Sequence, residues 1–194
     1  MIGFDLVDLI LAKGSKHQND PRFIRKIFSE EEQNIFAAQL NDSTIRWVMW
    51  AMKESVYKAI PKEIQQDFNP KKFILKHFSE KENYLEGQVE YNGLVFYCRC
   101  EMKNNMLWSI ALKDPMNFNQ VKFDILQLNS ESIDLARQVL NEAIHLFLDS
   151  IGIGNYRLRH LDSGKPVIAN SNDIRENISL SHHGHYAGFA YIPL

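Results

Sequence analysis

Two acids stand out in the first third of the chain, Asp5 in IGFD and Glu54 in WAMKESVYKA. Each interrupts an otherwise well-formed element, where a charge is costly unless it has a partner or a task. A pair of oxygen-only carboxylates suits Mg²⁺, which binds one or two carboxylates, keeps several waters and takes its remaining ligands from a phosphate. Spacing alone leaves two other readings open. Glu54 can be a helical carboxylate paired with Lys58 four residues on, and Asp5 a strand-end acid satisfied by backbone donors. Lys53, Lys58 and Lys165 carry ammonium groups suited to phosphate oxygens, and Lys165 lies in a Gly-Lys-Pro turn that restricts where its ammonium points. Ser181 and His182 add a hydroxyl and an imidazole near the end of the sequence.

That end, SLSHHGHY, crowds His182, His183 and His185 into four residues. Consecutive residues of a strand face apart, so His182 and His183 do not converge on one ion, and no HExxH pattern is present. The same alternation separates Ser181 from His182, and without a GxSxG elbow a Ser-His nucleophile pair is disfavoured. Only His182 is read as functional, with His183 and His185 as neighbours. Cys98 and Cys100, two apart in a strand-like run, are expected to be packed thiols on one face rather than a zinc site.

The elements that must position these groups follow from periodicity. Residues 2 to 7 are apolar except for Asp5, as in a strand buried on both faces. Asp20 and Pro21 open a short helix at RFIRKIF, and Ser29 with Glu30, Glu31 and Glu32 caps a helix running to about Leu40. From Asp42 or Ser43, Ile45, Val48, Met49, Met52, Val56 and Ala59 mark an amphipathic helix ending before Pro61, with Trp50, Glu54 and Lys58 as a second stripe. Lys72 to Leu112 alternates apolar and polar residues with turn signals at Asn92-Gly93 and Asn104-Asn105, an antiparallel meander.

The polar DPMNFNQ marks a boundary between lobes at 1–115 and 116–194. Beyond it come a strand at VKFDILQL and a helix from about Glu131 to Asp149, capped by Ser130, with Ile133, Val139, Leu140, Ala143, Ile144 and Phe147 inward. A strand near YRLRHL, a turn at DSGKPV, an irregular SNDIREN and strands NISLS and HYAGFAYI complete the chain. Both halves place a helix before β-structure. The fold class is therefore α+β, with two similar lobes, each a helix packed on a small antiparallel sheet.

An apolar fraction of 45% with 24% charged residues describes a globular protein with a real core. The net charge of −2 gives no general attraction to nucleic acid or an anionic membrane, so any anion site must be local. No apolar run is long enough to span a bilayer, and MIGFDLVDL carries acids where a signal peptide needs positive charge, so a cytoplasmic protein is expected.

Taken together, the pieces resemble the 4'-phosphopantetheinyl transferase superfamily. IGFD resembles its Gly-x-Asp strand, RFIRKIFSEEE its stretch ending in Phe-Ser/Thr-x-x-Glu, and WAMKESVYK its Trp-x-x-Lys-Glu helix with a closing lysine. GKPV and ISLSHHG resemble its Gly-Lys-Pro and Leu-Ser-His-x-Gly elements. The order differs from the large, surfactin-synthetase-type members, in which Gly-Lys-Pro and Ser-His come first. Here they come last, which suggests a circular permutation and requires the first and last strands to lie together. Two positions depart from the pattern: Val7 stands where large-type members usually have a further acid, and His185 where an Asp is frequent.

The resemblance implies a pseudo-dimeric fold and transfer of the phosphopantetheine arm of coenzyme A to a serine of an acyl or peptidyl carrier protein. Asp5 and Glu54 would hold Mg²⁺, with Glu54 also taking the serine proton and Lys58 stabilising the phosphoryl group. Lys165, Ser181, His182 and Arg137 would bind coenzyme A. Arg22, Arg25 and Lys26 are read either as docking an acidic carrier or as a solvated face, and two lobes in one chain suggest a monomer. Two rivals stay open: a coenzyme A-binding module with weak or no transfer, and a coenzyme A-dependent transferase with a non-carrier acceptor.

Overall fold

A computed structural model describes residues 1–14, 21–61 and 63–193. The architecture is mixed α/β, with every strand pair antiparallel. Strand β1 (Ile2–Asp8) is buried along its whole length. Ile2, Phe4 and Leu6 join one apolar cluster, while Val7 joins another on the opposite face, as strand alternation dictates. Helices α1 (Leu9–Gly14), α2 (Pro21–Ile27), α3 (Glu30–Ile35) and α4 (Ser43–Ala59) follow. Pro21 begins α2, where its missing N–H costs nothing; Asp20, expected beside it, lies outside the described residues.

Ser29 caps α3 through a reciprocal box with Glu32. That helix stops at Ile35 instead of reaching Leu40, because the chain turns so that Phe36 and Leu40 both enter the core. Asp42 caps α4, accepting the N–H of Thr44 at 2.6 Å. The helix ends as Ile60 turns extended before Pro61.

Strands β2 (Ile74–Glu80), β3 (Leu85–Tyr91), β4 (Leu94–Lys103) and β5 (Met106–Leu112) form the expected meander. The resulting sheet has the order β1-β5-β4-β3-β2, so the first strand of the chain pairs with the last of the meander. Helix α4 lies on one face of this sheet, where Cys98 and Cys100 are buried as free thiols. Gly3 shows how close the helix comes: a Cβ there would stand 1.8 Å from the Ser55 carbonyl oxygen and 2.7 Å from the Ala59 nitrogen. Only glycine allows this approach, which sets Asp5 against the last turns of α4.

After β6 (Lys122–Gln127) comes α5 (Ile133–Ser150). Its cap is Ser132 rather than Ser130, and its buried stripe is Ala136, Leu140, Ile144 and Leu148; Ile133, expected inward, is half exposed in the first turn. Strands β7 (Arg157–His160), β8 (Pro166–Ala169) and β9 (Ile174–Arg175) form one small sheet. The last two come from segments expected to be turn and irregular. Strands β10 (Ile178–His183) and β11 (Tyr186–Tyr191) join β6 in another, ordered β10-β11-β6.

A shared apolar layer, with Ile2, Phe4 and Leu6 from β1 and Ala190 and Ile192 from the end of the chain, packs the two parts together. The first and last strands are therefore neighbours. No described helix is long and apolar enough to cross a membrane.

Candidate active site

Asp5, Glu54, Lys58, Ser181 and His182 line one open cavity of about 580 Å³ together with Trp47, Trp50 and His183. Three elements meet there. Strand β1 carries Asp5 on the face toward α4, α4 carries the stripe Trp47, Trp50, Glu54 and Lys58 at helical spacing, and β10 carries the serine and the histidines. Lys58 Nζ donates to Asp5 Oδ1 at 2.7 Å and to Ser181 Oγ at 2.9 Å, while Ser181 Oγ–H donates to the same Asp5 oxygen at 3.1 Å. Asp5 thus has both a cationic and a hydroxyl partner, and its pairing with Lys58 displaces the Glu54–Lys58 pairing that helical spacing also allowed.

Glu54 is left without that partner. Burial, followed by the negative charge of Asp5, pushes its pKa up to about 7, against a smaller opposing pull from Lys58. A carboxylate poised near neutrality in a cavity is suited to accept a proton at physiological pH. His182 lies on the exposed side of β10; desolvation, then the positive charges of Lys58 and Arg137, lower its pKa. Both effects disfavour the charged imidazolium, and a nearby anion would act in the opposite direction.

The remaining predicted residues border adjoining cavities. Lys165 lines one of about 280 Å³ with Tyr57, Lys58, Ser179 and Leu180, and its ammonium pairs with Glu176 at 2.7 Å. Arg137 lines another of about 360 Å³ with Asn141, His160 and Leu180. Lys58 belongs to the first two cavities and Leu180 to all three, so the three adjoin along one groove.

Lys53, read from sequence as a possible phosphate contact, is elsewhere. Its side chain is fully buried and its ammonium meets Glu32 at 2.7 Å and the carbonyl oxygens of Ile27 and Pro70 at 3.1 Å each, which uses all three donors.

Several neighbours of the site escaped sequence reading. Trp47 lies one turn before Trp50 on the same stripe, and the spacing was visible in WVMW. Asp8 is buried at the end of β1; its carboxylate accepts the N–H groups of Ile10, Leu11 and His185. Gly184 makes this last contact possible, with φ of +57° and no room for a side chain against Asp8. His183 is also engaged, its Nδ1 accepting the Asp8 N–H at 3.0 Å.

The site thus combines two carboxylates, a lysine that joins one of them, Asp5, to a serine, and a groove lined by further cations, an arrangement able to meet a phosphate and to move a proton. A model of the 4'-phosphopantetheinyl transferase superfamily matches residues 1–104, more than half of the 194-residue chain, and the chain belongs to that superfamily. Membership carries phosphopantetheine transfer in general, with coenzyme A and a carrier protein as the partners of the class. The matched span contains Asp5, Glu32, Lys53, Glu54 and Lys58, whereas Arg137, Lys165, Ser181 and His182 lie beyond it. No curated protein matches the chain.

Proposed function

We propose that this chain transfers the 4'-phosphopantetheine arm of coenzyme A to a serine of an acyl or peptidyl carrier protein, with Mg²⁺ held by Asp5 and Glu54. The observation that carries the reading is Glu54, raised to about 7 beside the Asp5–Lys58 pair in a cavity that continues into a cation-lined groove. The donor set fits a divalent ion. Two hard carboxylates disfavour each other's charge, a conflict a cation relieves. Among the described residues no three of His, Cys, Asp and Glu gather as a metal cage, so an ion here would keep several waters, as Mg²⁺ does.

In this reading coenzyme A lies along the groove with its adenosine-side phosphates toward Lys165, His182 and Arg137, and Ser181 at the inner end. The carrier serine oxygen forms a bond to the phosphorus that bears pantetheine. The pyrophosphate bridge breaks, adenosine 3',5'-bisphosphate departs, and the serine proton passes to Glu54. The free N–H of Lys58 faces the phosphoryl oxygens as charge shifts onto the leaving group. Bound Mg²⁺ supplies the further positive charge that the pyrophosphate needs. Glu176 holds Lys165 until a phosphate replaces its carboxylate.

The two parts, 1–115 and 116–194, act in this proposal as a catalytic lobe and a coenzyme A lobe of a pseudo-dimer, working as a monomer in the cytoplasm. The clustering of Ile2 with Ile192 supports the permuted order of motifs. Incubation with coenzyme A, Mg²⁺ and a panel of apo-carrier proteins, followed by mass spectrometry, tests the reading. Addition of the arm to the carrier serine supports it. Coenzyme A binding by calorimetry without transfer to any carrier would replace it with a binding module.

A further inference from the structure

Among the residues expected to contact coenzyme A, Ser181 is set apart by what already occupies its hydroxyl. The residue is 5% exposed. Its Oγ accepts the backbone N–H of Leu6 at 3.1 Å and an N–H of Lys58 at 2.9 Å, and its O–H donates to Asp5 Oδ1 at 3.1 Å. One donor and two lone pairs are the whole capacity of a serine hydroxyl. A phosphate only accepts, so it could recruit Ser181 only by taking the hydrogen from Asp5, a carboxylate that is itself 6% exposed.

The hydroxyl belongs to a series. Ser179 Oγ accepts the Phe4 N–H at 2.9 Å and His183 Nδ1 accepts the Asp8 N–H at 3.0 Å. Strand alternation puts 179, 181 and 183 on one face of β10. Phe4, Leu6 and Asp8 are the alternate residues of β1 whose N–H groups point away from β5. The outer edge of β1 is thus closed by three side chains of β10. Of the three, only Ser181 also reaches Asp5 and Lys58.

We propose that Ser181 is a positioning residue for the transfer, fixing Asp5 and Lys58 relative to one another from the opposite part of the chain, and not a ligand of the coenzyme A phosphates. Ser179 holds the strand alone. This rests on the transferase reading for its rate measurement, and extends it by removing one residue from the phosphate contacts.

The test compares Ser181→Ala, Ser181→Thr and Ser179→Ala in the full chain. Readouts are transfer rate, coenzyme A affinity by calorimetry, and Tb³⁺ luminescence sensitised by Trp47 and Trp50. Ser181→Ala is expected to lower kcat by about 30- to 100-fold, the scale of a lost positioning contact, with coenzyme A affinity within about twofold. Tb³⁺ affinity should shift several-fold, Ser181→Thr should restore rate and luminescence, and Ser179→Ala should lower Tm while leaving both near wild type. If Ser181→Ala does not fold, Ser181→Cys keeps the volume with a weaker donor and is expected to show the same rate loss.

A tenfold loss of coenzyme A affinity at unchanged kcat would identify a phosphate contact and overturn the proposal. Equal rate losses in Ser179→Ala and Ser181→Ala would reduce the effect to strand stability and overturn it too. If the wild-type chain transfers nothing to any carrier, the transferase reading fails, and the luminescence comparison between the two alanine variants still decides the positioning role.

Discussion

Helix α4 holds two lysines five residues apart, and each meets a carboxylate in opposite surroundings. Lys53 and Glu32 are both fully buried. Glu32 also accepts the N–H of Ser29 at 2.8 Å and of Leu75 at 2.9 Å, so this pair ties α3, α4, the end of α2 and β2 together. Lys58 and Asp5 sit at the cavity wall, with side chains 27% and 8% exposed. Lys58 has two partners among the described residues and one N–H to spare. Glu54, between the two lysines, has no ion pair among the described residues and a raised pKa. A saturated pair is bound to structure, because releasing either partner strands a buried charge. An incompletely satisfied group beside a cavity is where a ligand finds an interaction waiting.

The largest expected effect falls on Glu54. Glu54→Gln should lower transfer by about 10³-fold or more, within the scale of removing a general base, while coenzyme A binding measured by calorimetry stays close to wild type. Near-normal turnover would end its assignment. Lys53→Ala should act on the other side of the comparison, costing about 3–5 kcal/mol of stability in thermal or denaturant unfolding, since Glu32 is left buried without its cation. If Lys53→Ala unfolds normally yet loses transfer, the division between structural and chemical lysines is wrong.

Lys58→Ala should fall between them in character, with transfer down about 10²-fold and Tm changed by only a few degrees, because its pair is partly solvated and water can replace the lost contacts.

The smallest effect is a sharper test of the same contrast. Glu54 has a native pKa of about 7 against an ordinary value of 4.5, so between these pH values the native state holds a proton that the unfolded chain has released. Its contribution to stability therefore declines as pH rises through this window. In metal-free buffer Glu54→Gln should raise Tm by a few degrees at pH 8 and leave it unchanged at pH 4. A Tm difference independent of pH would contradict the assigned shift.

Much of this arrangement was legible in residue types and spacing. The apolar run around Asp5 announced a buried strand, and the three- and four-residue steps of α4 announced both its core face and the stripe with Trp50, Glu54 and Lys58. Asn92-Gly93 and Asn104-Asn105 marked turns whose backbone does adopt positive φ at all four residues. The partnerships were not legible. Lys53 and Lys58 have the same chemistry and sit on one helix, and nothing local says that one enters the core beside Glu32, 21 residues away in sequence, while the other meets Asp5, 53 residues away. His183 and Asp8 escaped for the same reason, since their contact joins β1 to β10 across 175 positions. The short strands β8 and β9 escaped because the Pro-bearing turn and polar stretch around them outweigh four and two residues of alternation.

By itself the sequence determined most of the elements, because helical and strand periodicity and capping are local properties of the chain. It also determined the superfamily, whose model matches residues 1–104. Only the tertiary structure decided which charges are spent and which are available. Hydrogen-bond capacity and desolvation are set by whatever arrives from elsewhere in the chain, and here that is Ser181 on β10, closing the edge of β1 and filling its own hydroxyl in doing so.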